Sequence, residues 1–482
     1  MASNSMKKNA LLTVFKTTLS LLVPLITFPY VSRVLQVDAI GKYNFSSSIV
    51  SYFVLLAGLG VGTYAIREGA KIREDREKIS QFVSEVVFIN CISTILSYGI
   101  LIFCLIAISK LHDYTWIILI LSAQIIFTTY GRSWIYNIFE DFSYVTLIQV
   151  GFQILSIVLL FLLVHRPEDI YYYAMINVLS STGANLLYGI HVRKYVDFRR
   201  VKLKNLSTHI YPILIIFSTS IATTIYVNSD MTILGWMVDD RCVGLYSTAV
   251  KIYNIIKQVM VAVITVTVPR LTLYAGTEKF KPLFTKVHNM LLFMALPAMT
   301  GLLFMSDNAV TLIASTNYAE AATALRWLSI ALICALLACL YGTSVLLPYN
   351  NERIFLKSTV VSAIVNIVMN FILIPIFKQN AAAFTTALSQ GVALIMCFNH
   401  SKEHISLRES RHSGICTIIG CVGIAATCIL IKALNFGLLQ ETILAIVISA
   451  FIYLLIQIVT KNPTFYEIIG SMINFVQRRL IK

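Results

Sequence analysis

The stretch LLVPLITFPYVSRVL, residues 21–35, is apolar enough to enter a bilayer, yet it contains features that simple membrane helices avoid. Pro24 and Pro29 interrupt it, Arg33 closes it, and Lys16 precedes it by about one turn. Proline removes a backbone donor and bends a helix, which a bundle tolerates where the backbone lines a cavity. The stretch therefore predicts a first membrane helix that is bent at the two prolines and borders a cavity. Lys16 and Arg33 would line the inner and outer parts of the path through this cavity.

The composition extends this interpretation to the whole chain. Of 482 residues, 57% are hydrophobic and 13% are charged, and the mean hydropathy is +0.78, which is typical of a polytopic membrane protein. The nine cysteines form no C-x-x-C pair and the eight histidines form no cluster. We therefore expect no metal site and no cofactor. No nucleophile–base constellation is visible either, so we do not expect an enzyme.

Apolar runs between charged or turn-rich breaks predict fourteen membrane helices, numbered here as spans 1–14, in an all-α fold. The loops between them are short, and no soluble domain is inserted. The predicted spans are 10–35, 40–66, 80–109, 115–137, 144–165, 169–191, 210–237, 243–269, 284–306, 321–347, 355–377, 381–400, 414–434 and 440–460.

The basic residues predict the orientation of these spans. With both termini in the cytoplasm, the inner loops hold 26 Lys and Arg and the outer loops hold 7. This bias follows the positive-inside rule and explains the net charge of +15 without a nucleic-acid partner. Five cations remain inside predicted spans: Lys16, Arg132, Lys251, Lys257 and Arg326.

The sequence repeats weakly. A shift of 203 residues places Gly41-x-Tyr43 on Gly244-x-Tyr246 and Arg67 on Arg270, and a shift of 211 places Tyr130-Gly131-x-Ser133 on Tyr341-Gly342-x-Ser344. Six spans separate the copies, and an even number gives a parallel repeat. We therefore expect two six-helix lobes, 1–200 and 201–408, followed by two extra helices and an amphipathic tail in 409–482. Such lobes suit alternating access around a central cavity lined by spans 1, 2, 7 and 8.

Charges inside the membrane are the candidate binding residues, because each costs about 2.5–3.5 kcal/mol at the bilayer centre unless it faces a cavity. Lys251, Asn254 and Lys257 in span 8 would form a broad polar wall. With Lys16 and Arg33 they predict a cationic path for an anionic substrate such as a pyrophosphate. A structural alternative remains, in which Lys251 forms a buried pair with Asp230 of span 7.

Asp230, Arg67 and Arg270 have two interpretations each, and for Asp230 the first is the buried pair with Lys251. Asp230 is the deepest acid of spans 1, 2, 7 and 8, and we expect it to take part in coupling to protons or sodium. Arg67 and Arg270 occupy matching repeat positions. They are ordinary cytoplasmic end anchors, or they flank the inner mouth as a gate.

Residues 24–75 closely resemble the first two helices of bacterial Wzx-type polysaccharide flippases, in the polysaccharide-transporter branch of the MOP (MATE-like) superfamily. Gln36 departs from the pattern, which has glycine after Val34-Leu35. The matching elements are Pro24, Phe28-Pro29-Tyr30, Ser32-Arg33-Val34-Leu35, Gly41-x-Tyr43, Ser48-Ile49, Tyr52-Phe53 and Ala65-x-Arg67-Glu68.

The resemblance implies a flippase of the bacterial inner membrane. Its substrate would be an undecaprenyl-pyrophosphate-linked oligosaccharide repeat unit, moved to the periplasmic face for O-antigen or capsule synthesis. The expected partners are this glycan, the bilayer, and a polysaccharide polymerase and chain-length regulator. The sugar, the coupling ion and the oligomeric state are not implied.

Four rival functions stay open. A MATE-type drug or cation antiporter shares the fold but uses an acid in its first helix, where residues 10–35 have none. A lipid-linked peptidoglycan precursor flippase also carries a pyrophosphate. A major-facilitator transporter would carry G-x-x-x-D-R-x-G-R after its second helix, where this chain reads REGAKIREDREK, residues 67–78. A membrane polymerase or ligase would have a large outer loop.

Overall fold

The computed structural model describes residues 2–201, 206–407 and 410–480, apart from the side chains of 2–22, 219, 410, 471–472 and 474–480. Helices make up the regular structure of these residues. In chain order they are α1 Ala2–Gly58, α2 Val61–Ile72, α3 Arg76–Ala107, α4 Thr115–Gly131, α5 Trp134–Ile138, α6 Phe142–Leu163, α7 Ile170–Thr182, α8 Ala184–His191, α9 Leu206–Met237, α10 Asp240–Tyr274, α11 Phe280–Phe304, α12 Ser306–Ile313, α13 Ala321–Tyr341, α14 Glu352–Ser401, α15 Ser410–Ala433, α16 Leu438–Val459 and α17 Pro463–Leu480.

Eleven helical stretches of the described chain are long and apolar enough to cross a membrane. Two of them are 50 residues long, which is too long for one crossing, and a helix in each is broken at a residue with non-helical dihedrals, Gln36 in the first and Lys378 in the second. Dividing these two, and counting α7 with α8 as one interrupted span, gives fourteen. The all-helical polytopic fold predicted from the sequence is therefore confirmed.

The breaks inside α1 and α14 lie at single residues. Gln36 has φ 63° and ψ 178°, and Lys378 has φ 53° and ψ −132°. Pro24 and Pro29 lie within α1, where the only non-helical residue is Gln36. The interruption of the first long helix is thus seven residues beyond Pro29. The predicted bend at the two prolines stays a prediction.

The first compact unit comprises Met1–Gly244. Within it, α1 packs against α3, α4, α6 and α9. A buried apolar core joins α2, α3, α5 and α9, and Val83 and Ile135 are fully buried there. The unit ends within α10, whereas the predicted lobe boundary lies at 200. That lobe assignment stays a prediction, because compactness and repeat boundaries are different properties.

Two glycines bring α1 and the start of α10 into backbone contact in the first unit. A Cβ added at Gly41 would lie 2.6 Å from the carbonyl carbon of Asp240 and overlap its oxygen. A Cβ added at Gly244 would lie 2.9 Å from Cγ1 of Val37 and overlap the Val37 carbonyl oxygen. Gly41 and Val37 map onto Gly244 and Asp240 under the shift of 203, so the contacts are reciprocal. This reciprocity agrees with the predicted repeat.

The second compact unit comprises Leu245–Lys482. Within it, α13 packs along α14 and α11, and α11 also packs against α15, which pairs with α16. Thus the two extra helices, α15 and α16, are joined to their unit through α11 and α12. α17 carries the predicted amphipathic tail, and Lys286 Nζ lies 3.2 Å from Glu467 Oε2 near its start. Its position on a membrane surface stays a prediction.

The matched Tyr-Gly-x-Ser motifs both mark the end of a helix. α4 ends at Gly131, and Arg132 follows with φ 49°. α13 ends at Tyr341, and a π-helical turn follows at Gly342–Leu346. At each glycine a neighbouring side chain packs directly against the backbone. An added Cβ would overlap the side chain of Asn185 at Gly131 and that of Phe355 at Gly342.

Candidate functional site

Three of the predicted binding residues share one helix in the second unit. Lys251, Asn254 and Lys257 lie on α10, and each side chain is partly buried. Helical geometry spreads them over about 9 Å of the axis and about 120° of the circumference. We call these three residues the cationic face. It carries two formal positive charges in the apolar middle of a spanning helix.

Lys257 is held by an aromatic ring. Its Nζ lies 5.4 Å from the ring centroid of Tyr253, one turn earlier on α10. Among the described residues of the second unit, no carboxylate lies within ion-pair distance of Lys257. A cation–π contact of this kind contributes about 0.5–2 kcal/mol, which is less than the cost of burying the charge. The ring of Tyr253 therefore compensates the buried charge only in part.

Arg33 and Lys16, the other two cations of the predicted path, have fewer described contacts. Arg33 is exposed, and its Nη1 donates to the carbonyl of Pro29 at 2.6 Å, which folds the guanidinium along α1. The side chain of Lys16 lies outside the described residues. The structure thus places Lys251, Asn254 and Lys257 on one helix, and the path that would also include Lys16 and Arg33 stays a prediction.

Asp230 lies on α9 in the first unit and is 7% exposed. A chain of hydroxyl groups runs beside it between α9 and α1. Thr232 Oγ1 lies 3.0 Å from the Tyr52 hydroxyl and donates to Ser48 Oγ at 3.1 Å. Asp230 therefore lies in a polar buried region, and its coupling role stays a prediction.

The two matched arginines are both exposed. Arg67 Nε donates to Glu68 Oε1 at 2.9 Å, and Lys71 donates to the other oxygen of Glu68 at 2.7 Å. Arg270 follows Pro269 near the end of α10. Ion pairing and exposure suit a helix anchor for Arg67, and the gate interpretation stays a prediction for both residues.

Arg326 and Arg132 are the other two cations predicted inside spans whose side chains the structure describes. Arg326 lies in the second turn of α13 and donates to both oxygens of Asp307, at 2.8 and 2.7 Å. Lys432 donates to the same carboxylate at 3.1 Å. Burial opposes ionisation of Asp307, but Lys432 and Arg326 outweigh it and hold the pKa of this carboxyl below its usual range. Arg326 is thus an end-of-helix ion pair rather than a charge in a path.

Arg132 differs from Arg326. Its guanidinium carbon lies 4.6 Å from the ring centroid of Phe198, and its Nε is buried without a hydrogen-bond partner among the described residues. The residue follows α4 with a left-handed backbone. The ring of Phe198 therefore compensates the charge only in part, as the ring of Tyr253 does for Lys257.

Each unit also contains a cavity. A cavity of about 320 Å³ in the first unit lies between α1–α5 and includes amide and hydroxyl groups of Asn90, Thr128, Thr129, Ser133 and Asn137. A cavity of about 440 Å³ in the second unit lies between α10, α11, α12, α15 and α16. Its lining is almost entirely apolar. The polar cavity of the first unit suits polar groups of a ligand, and the apolar cavity of the second unit suits a hydrocarbon chain.

The sequence analysis missed a buried polar cluster in the first unit. His209 at the start of α9 lies between Glu85 of α3 and Tyr64 of α2. The signal was present, because Glu85 is an acid inside the predicted span 80–109. Glu85 belongs to span 3, outside the spans 1, 2, 7 and 8 that are predicted to line the cavity, and His209 lies one residue before a predicted span.

Comparison with protein families gives a match over more than half of the chain. Residues 6–274 match the family described as "Polysaccharide biosynthesis protein". A protein of Escherichia coli strain K12, named for O-antigen transport, is 22% identical over 389 residues, covering 79% of this chain and 93% of that protein. A Haloferax volcanii protein, named as a flippase of low-salt glycan biosynthesis, is 24% identical over 204 residues, covering 42% of this chain and 43% of its own length.

Solved structures share the fold. The lipid II flippase MurJ in an inward closed conformation has a TM-score of 0.70 at 14% identity, covering 93% of this chain and 98% of its own. An inward-facing multidrug resistance MATE transporter of the MOP superfamily has a TM-score of 0.58 at 16% identity, covering 80% of this chain and 97% of its own. These similarities establish the MOP-type fold and do not separate the two substrate classes.

Proposed function

Because the chain belongs to the polysaccharide biosynthesis family of lipid-linked glycan flippases, we propose that it translocates undecaprenyl-pyrophosphate-linked oligosaccharide repeat units. Translocation would run by alternating access from the cytoplasmic to the periplasmic face of the bacterial inner membrane. The product would serve O-antigen or capsular polysaccharide synthesis. The family consists of transporters, not enzymes, and lipid-linked glycans are its substrate class.

The observation that carries the proposal is the cationic face of α10. A pyrophosphate brings negative charge into a region of low dielectric, where an uncompensated ion is costly. Lys251 and Lys257 offer ammonium donors there, and charge-assisted hydrogen bonds to phosphate oxygens are about twice as strong as neutral ones. Lys257 in particular has an aromatic partner rather than a carboxylate within its unit.

The cavities support the same substrate class. A lipid-linked glycan combines a polar sugar portion with a long hydrocarbon portion. The apolar cavity between α10, α11, α12, α15 and α16 has the chemistry for the hydrocarbon, and the polar cavity between α1–α5 has the chemistry for hydroxyl groups. A channel for small ions would need neither.

Orientation and partners belong to the proposal as well. Both termini would be cytoplasmic, as the distribution of Lys and Arg predicts. Arg67 and Arg270 would then lie at the cytoplasmic mouth, and Asp230 would bind the coupling ion. A polysaccharide polymerase and a chain-length regulator are the expected protein partners.

Two alternatives share this fold. An antiporter of the MATE type would need an acid in its first helix, and residues 10–35 contain none. A lipid-linked peptidoglycan precursor flippase would use the same cationic face. Mass spectrometry of lipid-linked intermediates that accumulate in a deletion strain separates these functions, because each leaves a different molecule behind.

Substitution of Lys257 tests the role of the cationic face. In a flippase-null strain, Lys257→Ala should lose most surface polysaccharide at unchanged protein level, because removing a membrane charge favours insertion. Lys257→Arg should retain part of it, since the charge is kept while the donor geometry changes.

A matched control lies outside the spans. Lys279 also has its Nζ near a tyrosine ring, 5.9 Å from the centroid of Tyr274. Lys279→Ala removes the same kind of contact and should restore polysaccharide fully. Wild-type polysaccharide from Lys257→Ala at equal expression would mean that Lys257 is structural, and the proposal would lose its main support.

A further inference from the structure

Two predicted spans of the first unit are interrupted beside its polar cavity, which has a volume of about 320 Å³. The backbone between α1 and α2 turns at Leu59 and Gly60, with φ of 45° and 74°. The backbone between α4 and α5 turns at Arg132, with φ 49°. Residues on both sides of the first turn, and the residue directly after the second, line this one cavity. Interrupted helices of this kind are tolerated where they line a cavity, and they form the substrate sites of many transporters.

Three neighbouring residues of the lining have side-chain hydrogen-bonding groups that the protein does not use. For comparison, Asn90 Nδ2 donates to the carbonyl of Ala57 at 2.7 Å. The side chains of Ser133, Trp134 and Asn137 make no hydrogen bond to any described residue, although Trp134 is only 7% exposed. These positions span about 100° of the helical circumference at the start of α5. A hydroxyl, an indole N–H and an amide are therefore available to a ligand on one side of this helix.

The lining also defines the charge of the ligand. Among the described residues, no ionisable side chain lines the cavity, and the guanidinium of Arg132 lies against Phe198 instead. A phosphate would be costly here, because no cation compensates its charge. Serine and asparagine both donate and accept hydrogen bonds, which matches the hydroxyl groups of a neutral ligand.

The size and the remaining lining narrow the ligand further. Val54, Val61 and Ile125 add apolar surface to the indole of Trp134, and a sugar ring presents C–H groups as well as hydroxyls. Small-molecule pockets measure about 300–1,000 Å³, so a cavity of about 320 Å³ is at the small end of this range. The cavity therefore suits a single neutral sugar residue rather than a whole repeat unit.

We propose that the polar cavity of the first unit binds one neutral sugar residue of the transported glycan and selects it through Ser133, Trp134 and Asn137. The inference rests on the proposed function in taking a glycan as the substrate. On the predicted topology the cavity lies near the cytoplasmic ends of spans 2 and 4, the side from which the substrate would enter. The selection concerns the sugar alone, since the lining offers no charge to the pyrophosphate.

Binding is measured by saturation-transfer NMR on the full chain in phospholipid nanodiscs, because maltoside detergents would themselves supply a sugar. The probes are the methyl glycosides of glucose, galactose, N-acetylglucosamine and rhamnose, with the methyl glycoside of glucuronic acid as the charged comparison and empty nanodiscs as the blank. We expect a signal from at least one neutral glycoside and none from the glucuronic acid glycoside. A charged glycoside that binds as well as the neutral ones would overturn the proposal.

Gly58→Leu tests whether the sugar occupies the cavity. Gly58 lines the cavity, and a Cβ added there meets no atom within 4 Å, so the larger side chain can enter the space without a backbone clash. This variant should abolish the glycoside signal. Gly99→Leu on α3 is the matched control, because its added Cβ also meets no atom within 4 Å but Gly99 does not line the cavity. The control should keep the full signal.

Asn137→Ala tests the polar groups and replaces Gly58→Leu if that protein does not fold. Since the Asn137 side chain makes no hydrogen bond to the described residues, its removal should leave the fold intact. The affinity for the glycoside should fall about twofold to tenfold, as expected for one lost hydrogen bond between uncharged groups. Absence of binding by every neutral glycoside in the wild type, or a signal that both variants leave unchanged, would overturn the sugar site.

The role of the cavity in transport is measured in the flippase-null strain. Gly58→Leu and Asn137→Ala should lower surface polysaccharide at unchanged protein level, and Gly99→Leu should restore it fully. Full restoration by both cavity variants would show that the transported glycan does not use this cavity. Glycoside binding needs neither the glycolipid nor transport, so failure of the Lys257 experiment and failure of the sugar site are separate results.

Discussion

Gly41→Ala tests the reciprocal glycine contact between α1 and the start of α10. A Cβ at this position would lie 2.6 Å from the carbonyl carbon of Asp240 and 2.9 Å from the nitrogen of Gly244, whereas ordinary van der Waals contacts begin at 3.4 Å. The nearest atoms are backbone, so no side chain can rotate away. The two helices must separate until the added methyl group clears the carbonyl oxygen of Asp240, which it overlaps.

The cost of this separation follows from packing. Overpacking a well-packed contact costs about 1–3 kcal/mol, and alanine recovers about 0.5–1 kcal/mol of helix propensity relative to glycine. Because the overlap is with backbone atoms, we expect the upper part of the first range, about 2–3 kcal/mol, and therefore a net loss of about 1–2.5 kcal/mol. For a unit of 244 residues this lowers the Tm by about 2–10 °C, at about 2–4 °C per kcal/mol.

Thermal unfolding of the purified protein in one detergent gives the readout, with Gly151→Ala as control. An added Cβ at Gly151 meets no atom within 4 Å, so this variant should match or slightly exceed the parent Tm. Gly244→Ala should reproduce the loss of Gly41→Ala, since the contacts are reciprocal. A Gly41→Ala variant as stable as Gly151→Ala would show that the two backbones are not in contact.

Two other predictions concern stability. Gln36→Gly should raise the Tm by about 2–4 °C, because φ 63° with ψ 178° belongs to a region that costs a residue with a side chain about 1–3 kcal/mol; an unchanged Tm would place Gln36 in an ordinary conformation. Asp307→Asn should cost about 0.5–1 kcal/mol at pH 7 through the half-exposed pairs with Arg326 and Lys432. Because the pKa of Asp307 is lowered on folding, its stabilisation is present above the ordinary carboxyl pKa and is lost as the pH falls through the folded value, so variant and parent should converge in acid.

Hydropathy and charge were enough to predict the number of spans, because each crossing needs about 20 apolar residues and leaves a readable run. They also located the two breaks inside the long helices, because Gln36 lies between predicted spans 10–35 and 40–66 and Lys378 lies between predicted spans 355–377 and 381–400. A second signal for a turn at Gln36 is the glycine that the family pattern has at this position. Pro24 and Pro29 lie within the helix itself, and a proline can remain in a helix whose neighbours satisfy the freed carbonyl, so the bend expected at these prolines stays a prediction.

The candidate site was predictable only where one helix carries it. Lys251, Asn254 and Lys257 follow from periodicity along α10. The cluster of Glu85, His209 and Tyr64 joins residues from three helices, and no local pattern brings them together. Residues of such a cluster lie far apart in the sequence, so their contact cannot be predicted from spacing. An acid inside an apolar run still indicates that another helix supplies a polar partner.

The cations predicted inside spans divide into two groups by their partners. Arg326 shares a carboxylate with Lys432 near the end of its helix, so its charge is neutralised within the protein. Lys257 and Arg132 face aromatic rings, at 5.4 and 4.6 Å, and neither has a carboxylate partner among the described residues of its own unit. An aromatic face lowers the cost of burying a cation without occupying its hydrogen-bond donors. This difference, rather than depth in the membrane, separates the charges suited to a substrate phosphate from those that hold helices together.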